Sequence, residues 1–293
     1  MRLLSISDLH LAHAQNREAL ATLRHYPEDW LIVAGDVGER PDYLRLALDT
    51  LVPRFARVVW TPGNHDLWRS EARGGTRGQD RYDELVAICR SRGVLTPEDP
   101  YVDWPGAPRT FLVPMFLLFD YSFRPAHLPA DLAVAWARES GVVCADERRL
   151  DPFPFPTRAA WCEARCEATE ARLRDLPHDA HTILINHWPL RYDLARPPRI
   201  PRFSLWCGTT RTHDWARRFN ARAVISGHLH LRTTLWRDGT RFEEVSLGYP
   251  RDWRRERGLD WYLRDVLSDA PPYFVPLRDP FHDERRHHGA AGR

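Results

Sequence analysis

Lysine is absent from the 293 residues, so all 42 basic side chains are arginine. Arginine forks suit phosphate and carboxylate, but so complete a replacement reads as genomic codon bias and says nothing about substrate. Cysteine is scarce: Cys89, Cys144, Cys162, Cys166 and Cys207 are odd in number and scattered. That argues against a disulfide framework and fits reduced thiols. Cys162 and Cys166 sit four apart on an expected helix, but a structural zinc would need two more soft ligands and none is evident. Neither sign of charge dominates, since 42 basic residues face 40 acidic ones for a net +2. This argues against a nucleic-acid coat, which would carry clustered basic residues. No apolar run approaches the ~18 residues of a membrane span. The N-terminus, MRLLSISDLHLAH, lacks the apolar core and small-residue cleavage site of a signal peptide. The expectation is therefore a cytoplasmic protein. Its 43% hydrophobic and 28% charged residues are ordinary for a globular chain, and its length suffices for a sizeable core.

What the sequence does contain is a set of short apolar runs that end abruptly in polar residues. Arg2–Ser7 meets Asp8, and Trp30–Ala34 meets Gly35-Asp36. Arg57–Thr61 meets Pro62-Gly63-Asn64-His65. His181–Ile185 meets Asn186-His187, and Arg222–Ser226 meets Gly227-His228. Such β-branched runs, apolar on both faces, read as buried strands of covered sheets. Helical stretches are expected over Asn16–Tyr26 and Asp42–Leu51, with Pro41 in the first turn of the second. Asp8 to Asp36 and Asp36 to Asn64 are each 28 residues, about one right-handed βαβ unit apiece. Parallel strands so connected bring their C-terminal ends to one edge, where ligands bind. Residues 96–160 are rich in proline and aromatics and read as an insertion or lid, with a strand at Phe111–Met115 and a helix at Leu132–Glu139. Another helix is expected over Arg158–Leu173. Arg232–Arg237 and Arg241–Ser246 flank Asp238-Gly239, a hairpin signal. Residues 1–265 read as one domain and 266–293 as an irregular tail.

The residues at the strand ends are Asp8, His10, Asp36, Asn64, His65, His187, His228 and His230. Alone, each is an ordinary capping or structural residue. Seven of these eight, two carboxylates, four imidazoles and one amide oxygen, form a mixed nitrogen and oxygen donor set. Such a set suits Mn, Fe or Zn better than Mg or Ca. Seven ligands are too many for one ion and suit two.

The motifs Asp8-x-His10, Gly35-Asp36, Gly63-Asn64-His65-Asp66, Asn186-His187 and Gly227-His228-x-His230 resemble the calcineurin-like metallophosphoesterase superfamily, in its order and across roughly residues 1–250. The resemblance implies an α/β fold, a four-layer α/β/β/α sandwich of two mixed sheets flanked by helices. It implies two divalent transition-metal ions, manganese first with iron or zinc as alternatives. Asp8, His10 and His230 would hold one, and Asn64, His187 and His228 the other. Asp36 would bridge them, and His65 would be a non-ligand catalytic residue. The implied activity is hydrolysis of a phosphate ester of a small molecule or nucleotide. A bridging hydroxide would attack phosphorus, and His65 would assist the leaving group. Asp66 is a candidate to support the ligands from behind.

Substrate contacts are less defined. Arg40, in Gly35-Asp36-Val37-Gly38-Glu39-Arg40, partly matches the phosphate-binding arginine of the protein phosphatases in this superfamily. Arg124, Arg191 and Trp188 are further candidates, as are Trp68, Arg69, Arg73 and Arg77 after the Asn-His-Asp motif. Phe116–Arg124 could cap the site. A nuclease or protein phosphatase on the same core is the alternative activity, though the near-neutral charge weighs against nucleic acid. A non-catalytic scaffold is the alternative of another class, set against the intact ligand set.

Overall fold

The computed structural model describes residues 1–69 and 75–268. Arg73 and nearly all of the expected tail lie outside them. The strands are β1 (Leu3–Ile6), β2 (Tyr26–Ala34), β3 (Phe55–Thr61), β4 (Val102–Asp103), β5 (Thr110–Pro114), β6 (His181–Ile185), β7 (Ala221–Ser226), β8 (Thr234–Arg237), β9 (Thr240–Glu244) and β10 (Arg264–Asp265). They form a four-stranded sheet, β10-β1-β2-β3, and a six-stranded one, β4-β5-β6-β7-β9-β8. β1, β2 and β3 run parallel, as do β5, β6, β7 and β9, while β10, β4 and β8 are antiparallel to their neighbours.

Alternation along the strands explains the layering. Leu3, Trp30, Ile32, Ala34 and Val59 of the first sheet meet Leu112, Ile183, Ile185, Ala223 and Ile225 of the second in one buried cluster. The opposite faces, with Leu4, Leu31, Val33, Val58, Val113, Leu184 and Val224, join a second cluster with helical side chains. Each such side chain contributes about 1.5–3 kcal/mol on burial. The result is the four-layer arrangement, with sheet against sheet and helices outside.

Among the helices, α1 (Ala14–Ala21) stops short of the expected Tyr26. From Tyr26 the chain is already extended and pairs with Phe55. α2 (Pro41–Leu51) buries Leu44, Ala47, Leu48 and Leu51, one helical stripe behind a Pro start. A single turn, α3 (Asn64–Leu67), follows β3. α4 (Gly78–Arg90) was not among the expected elements. It buries Tyr82, Leu85, Val86 and Cys89, but charged residues interrupt that stripe in the sequence. α5 (Ala133–Glu139), α6 (Asp146–Arg149) and α7 (Arg158–Arg174) follow. Within residues 96–160, β5 is an interior strand of the six-stranded sheet, so this segment is woven into the core at its start.

The aromatic run does not cap the site. Phe116, Leu117, Leu118, Phe119 and Phe123 are all at most 1% exposed, because five large apolar residues are worth more in the core than over a polar cleft. The two sheets join near the end of β1. Ser7 bridges Ser246 in parallel fashion, with Ser7 N–H donating to Val245 O (3.1 Å) and Leu247 N–H to Ser7 O (2.9 Å).

Candidate active site

Every expected motif residue follows the C-terminal end of a parallel strand. The turn there is sharp. Asp8 (φ 54°), His10 (42°), Asp36 (55°), His228 (74°) and His230 (53°) all occupy the left-handed region. Each such residue costs about 1–3 kcal/mol and persists only where its surroundings over-determine it. Gly35 and Gly63 let the loops meet. A Cβ on Gly35 (φ 87°) would lie 2.6 Å from Gly63 N and 2.8 Å from His187 Nδ1, and one on Gly63 would collide with the Asp36 carboxylate.

These turns aim acceptor atoms at two neighbouring points. Around the first, His230 Nε2 lies 3.1 Å from Asp8 Oδ1 and 3.2 Å from His10 Nε2. His10 Nε2 is 3.7 Å from Asp8 Oδ1 and 4.0 Å from Asp36 Oδ2. Around the second, Asn64 Oδ1 lies 3.2 Å from His187 Nε2 and 3.1 Å from His228 Nδ1. His187 Nε2 is 3.5 Å from the same Asp36 Oδ2. Asp36 therefore belongs to both groups. Asp8 and Asp36 are almost wholly buried, and buried charges need a partner or a cation. Asp8-His10-His230 and Asp8-Asp36-His187 are trios whose ligand atoms lie within 4.8 Å of one another, and His10-Asp36-His65 is a third. The donor set thus fits borderline divalent cations.

Electrostatics agree. Burial pushes Asp8 and Asp36 up, but positive charge on His187 and the neighbouring imidazoles outweighs it and holds both below the usual carboxylate range. Burial lowers His187 and His230, yet the carboxylates around them win, bringing His187 to about 9 and His230 to about 10. Desolvation takes His10 down to about 4 and, with His187, His228 down to about 3. The site attracts positive charge at two places.

The ligand candidates are held from behind. His187 Nδ1 lies 2.9 Å from Ala34 O, and His230 Nδ1 3.0 Å from Asp252 Oδ2. Ser7 Oγ (2.6 Å), Ser246 Oγ (2.8 Å) and His228 N–H (3.1 Å) all donate to Asp8 Oδ2. Asp66 accepts backbone N–H groups from Asp36 (2.9 Å), Gly63 (2.9 Å) and Gly38 (3.1 Å), so it ties the β2 loop to the β3 loop. Burial and the Asp36 charge, against those N–H groups, raise Asp66 to about 7.

His65 stands apart. Its Nδ1 lies 3.0 Å from Glu39 Oε1, its Nε2 lies 3.9 Å from Asp36 Oδ2, and its ring stacks on Trp68 with centroids 3.7 Å apart. Burial lowers its pKa, but Asp36 and Glu39 together raise it above the ordinary value. Glu39 lies three residues beyond Asp36. Asp252 and Tyr249, whose ring stacks on His10 at 4.5 Å, follow the last hairpin, and no sequence motif marked them.

A cleft of about 610 Å³ opens over this edge, lined by Asp36, Asn64, His65, His228 and His230 together with Pro197, Arg199, Ile200, Phe203, Tyr249 and Arg251. Arg40, Arg124, Arg191 and Trp188 are not in its wall. Arg40 is exposed and pairs with Asp42 at 2.8 Å. Arg124 donates to Leu128 O and Tyr121 O. Arg191 is held by Asp193 (2.9 Å) and Asp238 (2.8 Å). Trp188 is fully buried, its ring edge-on to His187 at 5.2 Å. Arg77 pairs with Asp151 at 3.3 Å and covers Phe153. Nearby carboxylates, carbonyls and rings have captured the side chains that proximity in sequence suggested.

A two-sheet sandwich carrying this cluster at its strand ends is the build of a metal-dependent phosphoesterase, and the family model for calcineurin-like phosphoesterases matches residues 1–232. The chain belongs to that family. It is 50% identical over 279 residues to the [acyl-carrier-protein] phosphodiesterase PptH of Mycobacterium tuberculosis, covering 93% of this chain and 84% of that protein. The crystal structure of that organism's phosphopantetheinyl hydrolase PptH superposes with a TM-score of 0.86 at 48% identity, covering 94% of this chain and 98% of the other. The chain is thus an enzyme, a phosphoesterase of that family, and the scaffold alternative falls. Among the described residues, no helix is long and apolar enough to cross a membrane.

Proposed function

We propose that this chain hydrolyses the phosphodiester by which a phosphopantetheinyl group is carried on an acyl carrier protein. It would do so with two divalent transition-metal ions, manganese first and iron or zinc as alternatives. The observation that carries the proposal is the joint one: an uninterrupted donor cluster in a chain half identical, over nine-tenths of its length, to a phosphodiesterase of that kind. The substrate would then be a small phosphorylated group borne on a protein rather than a free small molecule or nucleotide.

Asp8, His10 and His230 would hold one ion, Asn64, His187 and His228 the other, and Asp36 both. Bound there, the ions supply Lewis acidity toward the phosphate and a nucleophile at neutral pH. The chain's own residues do the rest. Asp8 and Asp36 stay ionised and fix the charge balance. Asp66 keeps the β2 and β3 loops in register. Glu39 accepts a hydrogen bond from His65 Nδ1–H and orients the protonated ring, leaving Nε2–H to protonate the departing oxygen, a contribution typically of about 10²–10⁴-fold. Trp68 keeps that ring from swinging. Arg199 and Arg251 at the cleft offer positive charge to an anionic substrate, and Ile200 and Phe203 offer apolar contact to its arm. The five unpaired cysteines support a cytoplasmic location.

The test is to incubate the protein and Mn²⁺ with a carrier protein bearing phosphopantetheine and weigh the carrier by intact-mass spectrometry. Loss of one phosphopantetheinyl group is expected. An unchanged carrier, alongside hydrolysis of bis-p-nitrophenyl phosphate, would assign the phosphodiesterase another substrate.

A further inference from the structure

We infer that Asp146, on the short helix α6 beyond β5, is a positioning residue that sets the amide of Asn64 and the platform of His65 through one buried oxygen. This rests on the proposed two-metal reading and goes beyond it, since Asp146 belongs to no motif. The side chain is fully buried. Its Oδ1 accepts from Asn64 Nδ2 at 3.0 Å and from Trp68 Nε1 at 2.7 Å. The two ends of an asparagine amide have nearly the same shape, so packing alone does not decide which end faces the ions. An acceptor-only carboxylate oxygen behind Asn64 does decide it. The NH₂ turns toward Asp146, and Oδ1 is left facing His187 Nε2 (3.2 Å) and His228 Nδ1 (3.1 Å). A flipped amide would set oxygen against oxygen at Asp146 and point hydrogens at the cation site.

The same Oδ1 fixes the indole of Trp68, on which His65 stacks. α6 is clamped here at further points. Arg69 N–H donates to Arg149 O at 2.9 Å, and the Arg149 guanidinium covers the Trp68 ring at 4.8 Å. A segment about eighty residues away in sequence thereby orients both a ligand and the group beside it. Partners that orient ligands from behind are typically worth about 10–100-fold in metal affinity.

The experiment titrates chelator-treated full-length protein with MnCl₂, counts ions per chain, and follows melting and bis-p-nitrophenyl phosphate kinetics. D146L keeps the branched outline, with bulkier methyl ends, and removes the acceptor. The first Mn²⁺ should bind as in wild type, the second about 10–100-fold more weakly, and kcat should fall with KM little changed. D146N retains an acceptor oxygen and should restore most of the second affinity. W68F removes one leg only and should bind two ions normally while kcat drops. Two ions bound by D146L with wild-type affinity, equal defects in D146L and D146N, or an unchanged kcat in W68F would overturn the inference. If D146L does not fold, the D146N and W68F outcomes still decide it. Fewer than two ions on the wild-type protein would instead overturn the two-metal reading.

Discussion

Gly35→Ala tests whether the close approach of the β2 and β3 loops is required. Two costs can be worked out. At φ 87° an alanine pays the left-handed penalty of about 1–2 kcal/mol. Its methyl would lie 2.6 Å from Gly63 N and 2.8 Å from His187 Nδ1, overpacking that costs about 1–3 kcal/mol more. The sum, about 2–5 kcal/mol, corresponds to a fall in Tm of roughly 4–20 °C at about 2–4 °C per kcal/mol, the scaling for somewhat smaller domains. Relief requires the Gly63 loop or His187 to move, and both carry the second group of acceptors. The variant should therefore melt early and bind its second Mn²⁺ weakly, as read by calorimetry and metal titration of the same preparation. A variant that melts within a degree or two of wild type and takes up two Mn²⁺ normally would refute the reasoning.

Other substitutions separate roles. Asp36→Asn removes the charge shared by both groups, so metal content and hydrolysis should vanish together, and normal turnover would sink the bridging assignment. His65→Ala should keep two Mn²⁺ while the rate falls about 10²–10⁴-fold, most for poor leaving groups; lost metal would make His65 a ligand. Glu98 offers a pH test away from the site. Burial raises its pKa, but Arg165 and Tyr82 outweigh that and lower it overall. Its stabilisation is thus present above the unfolded value of about 4.3 and fades as pH falls through the lower folded value. Glu98→Gln should cost under about 1 kcal/mol near pH 7, given its partial exposure, and nothing in strong acid. A gap in Tm that persists at pH 2 would contradict this.

Much of this was legible because its signals are local. A β-branched run ending in Gly-Asp or Gly-Asn-His states both the strand and the turn, and the Asp238-Gly239 hairpin is there as β8 and β9. The ligand candidates converge because parallel strands in one βαβ register must end together. What escaped depends on contacts made through space. Asp146 meets Asn64 across 82 positions, and nothing around Asp146 in the sequence announces it. β10 joins β1 by two residue pairs, too few to leave a pattern. The arginine candidates stand outside the cleft wall for a different reason. In a chain whose basic residues are all arginine, guanidinium forks lie beside many motifs, and most are occupied by the nearest carboxylate or carbonyl, as in Arg124 and Arg191.

The seam at Ser7 and Ser246 has a wider bearing. Asp8, His10, Asp36 and Asn64 hang from the smaller sheet, while His187, His228 and His230 hang from the larger. Any ion held as proposed would staple one sheet to the other. Saturation a hundredfold above its dissociation constant would add about 2.7 kcal/mol per site to the folded state. Heat resistance in this molecule would then serve as a gauge of how much metal its surroundings supply.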